Sequence, residues 1–273
     1  MPCRKLLTVI TVCYNEENLQ RTCESIVNQS FQDFEWVVID GGSNNKILEI
    51  FNKYKNRINI FVSEKDNGIY DAMNKGIKFA KGEWLNFMNA GDTFFDNRTL
   101  EKIFPCNVLK DNKKDILYGD SINYGLDNIG SHYKMPNKLN YIFWRNRGIV
   151  HQSAFIKKEL FIRFGLYDEH YRVCADFEKF ILFFKEKCKF KHLKFPVANY
   201  YAGGISSTSN SNSERDEILN KYFISEYETI RTIKLFGRIP VMRIKKRRDS
   251  KKCKLVFLKI PLIVWNCKDN KKF

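Results

Sequence analysis

Short apolar runs alternate with helical patterns along the first half of the chain, and this alternation is the feature that most constrains the fold. The runs are nearly continuous and rich in Val, Ile and aromatic residues, which is typical of strands buried on both faces. They cover Leu6 to Tyr14, Glu35 to Asp40, Ile58 to Glu64, Glu83 to Ala90 and Asp115 to Tyr124. Apolar residues recur at helical spacing at Leu19, Cys23, Ile26 and Val27, and again at Ala72, Met73, Gly76, Ile77 and Ala80. The pattern predicts an α/β fold with a mostly parallel sheet and helices on both of its faces.

Polar clusters follow three of the predicted strands at their carboxyl ends. They are the segments YNE at 14–16, DGGS at 40–43 and NAGD at 89–92. Right-handed crossovers place the carboxyl ends of parallel strands along one edge of the sheet, where open α/β sheets bind their ligands. The sequence therefore predicts that the three clusters converge on one ligand site.

The alternation loosens after about residue 125, where aromatic residues become frequent. We predict a strand around Gln152 to Ile156, a turn at Gly165 and a helix from about Asp176 to Lys187.

A stretch rich in Gly, Ser and Asn, from Ala202 to Ser213, is the best candidate for a linker or a flexible lid. A helical pattern then runs from Glu214 to Phe236. These changes divide the chain into a domain at 1–213, with halves at 1–125 and 126–213, and a carboxyl-terminal segment at 214–273.

Composition limits the class of protein. With 273 residues, 44% of them apolar, the chain is long enough to form a real core, as one large domain or two small ones. Its eight cysteines form no C-x-x-C pair, and the amino terminus has no signal-peptide pattern. We therefore expect reduced, buried thiols in a cytoplasmic protein.

The net charge of +16 is concentrated in the carboxyl-terminal tail, where 13 Lys and Arg stand against two Asp between Arg238 and Phe273. Lys259 and Pro261 interrupt its apolar part, which is too short to span a bilayer. Lys and Arg beside the apolar residues from Leu255 to Trp265 favour an amphipathic anchor on an anionic membrane surface. Nucleic acid is disfavoured because no recognised binding motif is present, while a solvated or partner-binding tail stays open.

The segment DGGS allows two interpretations. Asp40 can accept hydrogen bonds from a nucleobase or ribose, and Gly42 lets a ligand approach the backbone closely. Alternatively the segment is a strand-to-helix turn in which Ser43 caps the helix. The sequence has neither a G-x-G-x-x-G fingerprint nor a P-loop, which disfavours a dinucleotide or P-loop site.

Three further residues have both a chemical and a structural interpretation. Asp92 follows a segment built to be buried, so it needs a hydrogen-bond partner or a hard cation such as Mg²⁺ or Mn²⁺, unless it only caps the turn at Thr93. Asp176 stands where a helix pattern begins, as a general base or as a simple N-cap. His151 beside a predicted strand could position a ligand or be a satisfied structural histidine.

Four stretches in this order resemble the family-2 glycosyltransferases of the GT-A fold, in particular bacterial enzymes that build surface polysaccharides. They are VITVCYNEENLQRTCESIVNQSFQDFEWVVIDGGSN, SEKDNGIYDAMNKGIKFAKGEWLNFMNAGD, HQSAFIKKELFIRFGLYDEHYRVCADFEKF and AGGISS, within Leu6 to Ser207. The resemblance implies a nucleotide-sugar-binding half at 1–125 and an acceptor-binding half at 126–213. Implied donor contacts are Tyr14, Glu16, Asp40, Gly42, Asn67, Gly68, Asp71, Asn74, Asn89 and Gly91.

The resemblance also implies roles in catalysis. NAGD matches the family's metal-binding D-x-D-type segment, but only Asp92 is acidic here, with Asn89 and Gly91 at the other places, so a Mn²⁺ or Mg²⁺ cofactor is expected through a single carboxylate. Asp176 matches the catalytic base of an inverting transfer. On the acceptor side we expect His151, Gln152 and Trp144.

The implied function is transfer of a sugar from a UDP- or GDP-sugar to a glycan or lipid-linked saccharide, in capsule, O-antigen or exopolysaccharide synthesis. The tail would hold the enzyme at the cytoplasmic face of the membrane. Two alternatives stay open, a nucleotidyltransferase on a related sheet and a non-catalytic nucleotide-sugar-binding protein. The acids in TVCYNEENLQR argue against the first, since a triphosphate site needs glycines with Arg and Lys there.

Overall fold

The structure is a computed structural model that describes residues 6–104, 114–203 and 210–224, and near the carboxyl terminus residues 227–235, 239–247, 252–257 and 260–266. The chain separates into two compact units, Met1–Arg215 and Asp216–Phe273. In the described part of the chain, no helix combines the length and the apolar character that crossing a bilayer requires.

The strands of the first unit are β1 (Leu7–Cys13), β2 (Phe34–Asp40), β3 (Ile60–Ser63), β4 (Trp84–Phe87), β5 (Thr93–Phe94), β6 (Ile116–Tyr124), β7 (Gly130–Tyr133), β8 (Ala154–Lys157) and β9 (Phe190–Tyr201). The helices are α1 (Leu19–Val27), α2 (Asn45–Lys53), α3 (Ile69–Phe79), α4 (Thr99–Ile103), α5 (Tyr141–Asn146), α6 (Lys158–Phe164), α7 (Ala175–Lys185) and α8 (Asn210–Leu219), with a 3₁₀ turn at His151–Ser153. The five strands predicted in the first half are confirmed, each within three residues of its expected ends.

The central sheet has the strand order β3-β2-β1-β4-β8-β6-β9-β5, with β7 paired to β6. The strands β3, β2, β1 and β4 are all parallel, and β1 pairs with β2 along its whole length. Both β1 and β2 are buried at every position, which explains their unbroken apolar sequences. The predicted α/β fold is therefore confirmed, with antiparallel pairs on the side that contains β8.

Helices α1 and α3 cover the sheet through apolar stripes that the sequence spacing predicted. In α1 the buried side chains include Leu19, Cys23 and Ile26. In α3 the buried positions include Met73 and Ile77. Both helices follow strands of the parallel half, so each begins at the edge where the predicted polar clusters lie.

The predicted turn at Gly165 is confirmed, and it needs glycine because its φ is 81°. Strand β8 and helix α7 match the predicted strand and helix closely. The core around them is aromatic, and Trp144 is fully buried there, with its ring close to those of Phe177 and Phe190.

Glu214 and Arg215 at the end of the first unit hold the amino terminus of α7. The Glu214 carboxylate accepts hydrogen bonds from the backbone N–H groups of Arg172, Val173 and Cys174 at 2.9, 3.0 and 2.9 Å. The Arg215 guanidinium lies 3.9 Å from the centre of the Phe177 ring. This anchor fixes the backbone just before Asp176.

Replacing Glu214 by Gln should lower the free energy of unfolding by about 1–3 kcal/mol, because an amide cannot satisfy three backbone donors as a carboxylate does. Urea unfolding followed by circular dichroism measures the change. Glu49→Gln, an exposed change on α2, is the matched control. Equal stability of the two variants would contradict this role of Glu214.

The second unit contains the end of α8, a π-helical turn at Asn220–Ile224 and an antiparallel sheet of β10 (Tyr227–Leu235), β11 (Ile239–Arg247), β12 (Lys252–Phe257) and β13 (Ile260–Asn266). The helical pattern predicted from Glu214 to Phe236 is therefore wrong over Tyr227–Leu235, which is a strand. The β-branched residues in TIRTI, from Thr229 to Ile233, favour a strand, and a register shift there interrupts simple alternation. The side chains expected to form a membrane anchor lie outside the described part.

The described cysteines agree with reduced thiols. Cys13, Cys23 and Cys174 are free and buried, and Cys188 is half-buried. Burial raises the pKa of Cys13 to about 11 and that of Cys23 to about 12, so both thiols stay protonated and unreactive. Cys3, Cys106, Cys267 and the side chain of Cys253 lie outside the described part of the chain.

Candidate active site

A cavity of about 680 Å³ opens at the carboxyl ends of β1 and β4. Two of the three predicted polar clusters line it, through Tyr14 and Glu16 after β1 and through the NAGD segment after β4. The third cluster adjoins the first, because Ser43 Oγ accepts a hydrogen bond from the backbone N–H of Asn15 at 2.8 Å. The edge of the sheet therefore gathers the polar residues as the topology predicted.

The NAGD turn is held by helix α1. Gly91 has a φ of 97°, which favours glycine, and its N–H donates to Thr22 Oγ1 at 2.9 Å. Thr22 Oγ1 in turn donates to the carbonyl of Asp92 at 2.7 Å. Arg21 Nε donates to the carbonyl of Gly91 at 2.5 Å. These bonds fix the direction in which Asp92 and Asn89 leave the turn.

The Asp92 carboxylate is 6% exposed and is oriented by two donors. Its Oδ1 accepts from the backbone N–H of Tyr201 at 2.9 Å, and its Oδ2 accepts from Gln152 Nε2 at 2.5 Å. Burial nevertheless raises the pKa of Asp92 to about 6, because the two hydrogen bonds only partly offset the loss of solvent. Asp92 is thus ionised at neutral pH in a setting that favours any added positive charge.

Asp176 lies in the first turn of α7, on the cavity wall, and its side chain is 16% exposed. Its Oδ1 is 2.7 Å from the Tyr70 hydroxyl, and its Oδ2 is 2.9 Å from His151 Nδ1. Burial would raise the pKa of Asp176, but the hydrogen bonds and charge of these partners outweigh it and hold the pKa below its usual value. Asp176 is therefore an oriented, ionised carboxylate.

His151 links Asp176 to the NAGD segment. Because a carboxylate can only accept, Nδ1 of His151 carries the proton of that bond. Its Nε2 lies 3.0 Å from Asn89 Nδ2. The remaining amide oxygen of Asn89, Oδ1, is buried and lacks a hydrogen-bond partner among the described residues. An unpaired buried acceptor on a cavity wall is suited to a ligand donor or a cation.

The structure brings nine of the predicted site residues to this cavity and leaves six away from it. The cavity is lined by Tyr14, Glu16, Gly68, Asn89, Gly91, Asp92, His151, Gln152 and Asp176. The residues outside its lining are Asp40, Gly42, Asn67, Asp71, Asn74 and Trp144.

Local hydrogen bonds explain why several of these six residues do not line the cavity. Asp40 Oδ2 accepts from the backbone N–H groups of Gly42 and Ser43 and from Ser63 Oγ, so Asp40 holds the turn after β2. The expected N-cap role of Ser43 is wrong, because Asn44 caps α2 by accepting from the Ile47 N–H. Asn74 is buried and bonds the backbone of Tyr167 in both directions. The acceptor-side expectation for Trp144 is corrected by its full burial in the aromatic core.

Several lining residues were not anticipated by the sequence. Arg21 carries no local signal, because its partner Gly91 is 70 positions away. Tyr133 and Tyr201 also line the cavity, and Tyr201 directly precedes the Gly-rich stretch, which was a usable hint. Half of the predicted lid, residues 204–209, lies outside the described part of the chain. Its last four residues, 210–213, are not a loop as expected, because they form the start of helix α8.

A divalent cation has a limited donor set here. Among the described residues no group of three or more His, Cys, Asp or Glu could hold a metal by itself. Asp92 and the unpaired oxygen of Asn89 nevertheless offer two hard oxygen donors on one turn. That set fits a Mg²⁺ or Mn²⁺ ion that takes its other ligands from phosphate and water, which is the usual arrangement for such ions.

Two curated relatives are similar to this chain in sequence. A PGL/p-HBAD biosynthesis glycosyltransferase of Mycobacterium tuberculosis is 34% identical over 190 residues, which cover 68% of this chain and 72% of the relative. An uncharacterized glycosyltransferase of the same species is 28% identical over 204 residues, covering 74% and 77%.

Solved structures share the fold. Staphylococcus aureus TarS 1–349 in complex with UDP-GlcNAc matches with a TM-score of 0.62 at 17% identity, over 80% of this chain and 71% of that one. The match spans 42% of the longer TarS chain. The mannosyltransferase PcManGT from Pyrobaculum calidifontis, with GDP-Man and Mn²⁺, matches with a TM-score of 0.57 at 16% identity, over 82% and 64%.

A family model described as glycosyl transferase family 2 matches residues 8–165, more than half of the chain, including most of β1, the NAGD segment and His151. The expected resemblance is confirmed by this match and by the mycobacterial relatives. The chain belongs to glycosyl transferase family 2 and is a glycosyltransferase.

Proposed function

We propose that the protein transfers a sugar from a nucleoside-diphosphate sugar to a hydroxyl of a glycan or lipid-linked saccharide, with inversion at the anomeric carbon. One observation carries the proposal: a single cavity at the strand ends contains both an oriented, ionised Asp176 and a separate Asp92 on the NAGD turn. An inverting transfer needs a base on one side of the anomeric carbon and charge stabilisation of the leaving group on the other.

The donor site is supported by the residues after β1 and before α3. Tyr14 is 67% exposed at the cavity, where its ring could stack on a nucleobase, and Glu16 and Gly68 line the same wall. Related folds have been solved with UDP-GlcNAc and with GDP-Man. These neighbours favour a nucleotide sugar as donor without selecting the base or the sugar.

Asp176 is proposed as the general base. Its carboxylate would accept the proton of the acceptor hydroxyl as the new C1–O bond forms and the bond to the diphosphate breaks, with the electron pair leaving on the phosphate oxygen. Tyr70 and His151 orient the carboxylate through separate oxygens, and each oxygen retains a second lone pair for the acceptor. The low pKa keeps it ionised and ready to accept the proton.

Asp92 and Asn89 are proposed to hold a divalent cation together with the donor diphosphate. When bound there, Mn²⁺ or Mg²⁺ would supply Lewis-acid stabilisation of the negative charge on the departing nucleotide. The hydrogen bonds from Tyr201 and Gln152 aim the Asp92 carboxylate before any ligand arrives. His151 and Gln152 would also border the acceptor.

The acceptor class and the location of the enzyme rest on the basic tail. Its 13 Lys and Arg beside apolar residues would suit an anionic membrane surface, and a lipid-linked acceptor would explain that placement. Relatives described as PGL/p-HBAD biosynthesis glycosyltransferases favour a biosynthetic role. We therefore propose a peripheral protein of the cytoplasmic face, acting in surface polysaccharide synthesis.

A thermal-shift panel of UDP, GDP, CDP and ADP, each with and without Mn²⁺, tests the donor class. A ligand at about 100 times its dissociation constant stabilises the folded state by about 2.7 kcal/mol, which is easily detected. We expect one diphosphate to raise the unfolding temperature strongly, and more with Mn²⁺ than without. No shift with any of the four would contradict the proposed donor.

A further inference from the structure

Arg21 is the cavity residue whose chemistry the proposed function leaves unused. It lies in α1, half-buried, and lines the cavity beside the NAGD turn. Its Nε is occupied by the carbonyl of Gly91, and its guanidinium lies 3.6 Å from the centre of the Tyr201 ring. Tyr201 is itself stacked on Tyr124 at 4.7 Å. The side chain is therefore held in one plane and one position.

Among the described residues, the two terminal nitrogens of this guanidinium have no hydrogen-bond acceptor, and no carboxylate lies within ion-pair distance of them. A guanidinium carries five N–H donors, and the bond to Gly91 uses one of them. Four donors in a rigid fork thus remain available on a residue that lines the cavity. Such a fork matches the geometry of two phosphate or carboxylate oxygens.

The cavity lining carries mostly negative charge, so the Arg21 guanidinium matters for the binding of an anionic ligand. Four carboxylates line it, those of Glu16, Asp66, Asp92 and Asp176. Arg21 is the sole Lys or Arg among the described lining residues. An anionic ligand entering such a site meets repulsion unless cations offset it, and Arg21 is the cation that the chain itself supplies.

We propose that Arg21 binds the diphosphate of the nucleotide-sugar donor through its terminal N–H groups and stabilises the charge that develops there as the C1–O bond breaks. The inference rests on the proposed function. Because Arg21 is bonded to Gly91 and lies close enough to Asp92 to lower that carboxyl's pKa, it faces the same phosphate region from the α1 side. A fixed cation here compensates for the NAGD segment, which has one acid where the family often has two or three.

The test compares binding of the nucleoside diphosphate selected by the wild-type protein with binding of the corresponding phosphate-free nucleoside. Isothermal titration with Mn²⁺ gives the first dissociation constant, and a nuclear magnetic resonance titration gives the second. The variants are Arg21→Gln and Arg21→Lys, with Arg163→Gln, an exposed change on α6, as the matched control.

We expect Arg21→Gln to weaken diphosphate binding at least tenfold and to leave nucleoside binding unchanged. Arg21→Lys should fall between Arg21→Gln and the wild type, because it keeps the charge but loses the fork and the stacking on Tyr201. Arg163→Gln should bind as the wild type does.

Equal diphosphate binding by Arg21→Gln and the wild type would overturn the inference alone. Equal losses for diphosphate and nucleoside would also overturn it, since they would mean a structural role for Arg21 in holding the NAGD turn. If the wild type bound none of the diphosphates, the proposed function would fail first, and this inference with it.

Discussion

Replacing Asp176 by Asn should lower kcat for sugar transfer by about 10²- to 10⁴-fold while leaving the affinity for the donor little changed. Asn has the size of Asp and can still accept from Tyr70, but its amide nitrogen cannot accept the Nδ1–H of His151. The loss would therefore fall on the proton-accepting step and on the orientation of His151. Single-turnover kinetics separate this loss from donor binding, which titration with the nucleoside diphosphate measures.

Asp168→Asn is the matched control for this experiment, because Asp168 is exposed and lies outside the cavity lining. It should keep wild-type kcat and donor affinity. An Asp176→Asn enzyme that retained more than a tenth of wild-type kcat would rule out Asp176 as the base. Loss of donor affinity as large as the loss of kcat would instead assign it to donor binding.

Replacing Asp92 by Asn should have two opposite effects, loss of Mn²⁺-dependent donor binding and gain of stability. The wild-type carboxylate is ionised at pH 8 although burial disfavours its charge, which raises its pKa from 3.8 to about 6. At about 1.4 kcal/mol per pKa unit, a neutral side chain of the same shape should stabilise the fold by about 1–3 kcal/mol. Asn can keep the bond from Tyr201, and the Gln152 amide can rotate to accept the new N–H.

The pH dependence of stability distinguishes removal of the buried charge of Asp92 from a change in side-chain packing. Because the folded pKa of Asp92 is raised, the stability linked to its proton is fully present below about pH 4 and is lost as pH rises through about 6. The advantage of Asp92→Asn over the wild type should therefore be larger at pH 8 than at pH 5, by about 1 kcal/mol. Thermal unfolding in EDTA at both pH values measures it. An advantage that did not change with pH, or a variant less stable at pH 8, would contradict the account.

Much of the fold was predictable because its strands are simple in sequence. Strands β1 and β2 are buried on both faces, so their apolar character is continuous, and the helices between them show a single apolar stripe. The segment from Glu214 to Phe236 was harder to predict. Its helical spacing competes with β-branched residues such as Thr229 and Ile233, and strand pairing rather than local spacing decided the outcome.

The sequence predicted the two carboxylates of the site but not the residues that hydrogen-bond to them. Asp92 and Asp176 stand out as carboxylates at element ends, but their partners are distant in sequence. Tyr70 reaches Asp176 across 106 positions, and Tyr201 reaches Asp92 across 109. No local pattern encodes such contacts, because they arise only when the edges of the sheet and α7 come together. The same holds for Arg21, whose helix pattern is ordinary.

The configuration of the first product distinguishes direct displacement at the anomeric carbon from a double displacement. High enzyme concentration would be used to hydrolyse an α-linked nucleotide sugar, with water taking the place of the acceptor, and ¹H nuclear magnetic resonance would follow the anomeric proton before mutarotation. We expect the β-anomer to form first, and Asp176→Asn to suppress its formation. Initial release of the α-anomer would contradict single displacement and require a covalent intermediate or a different attacking face.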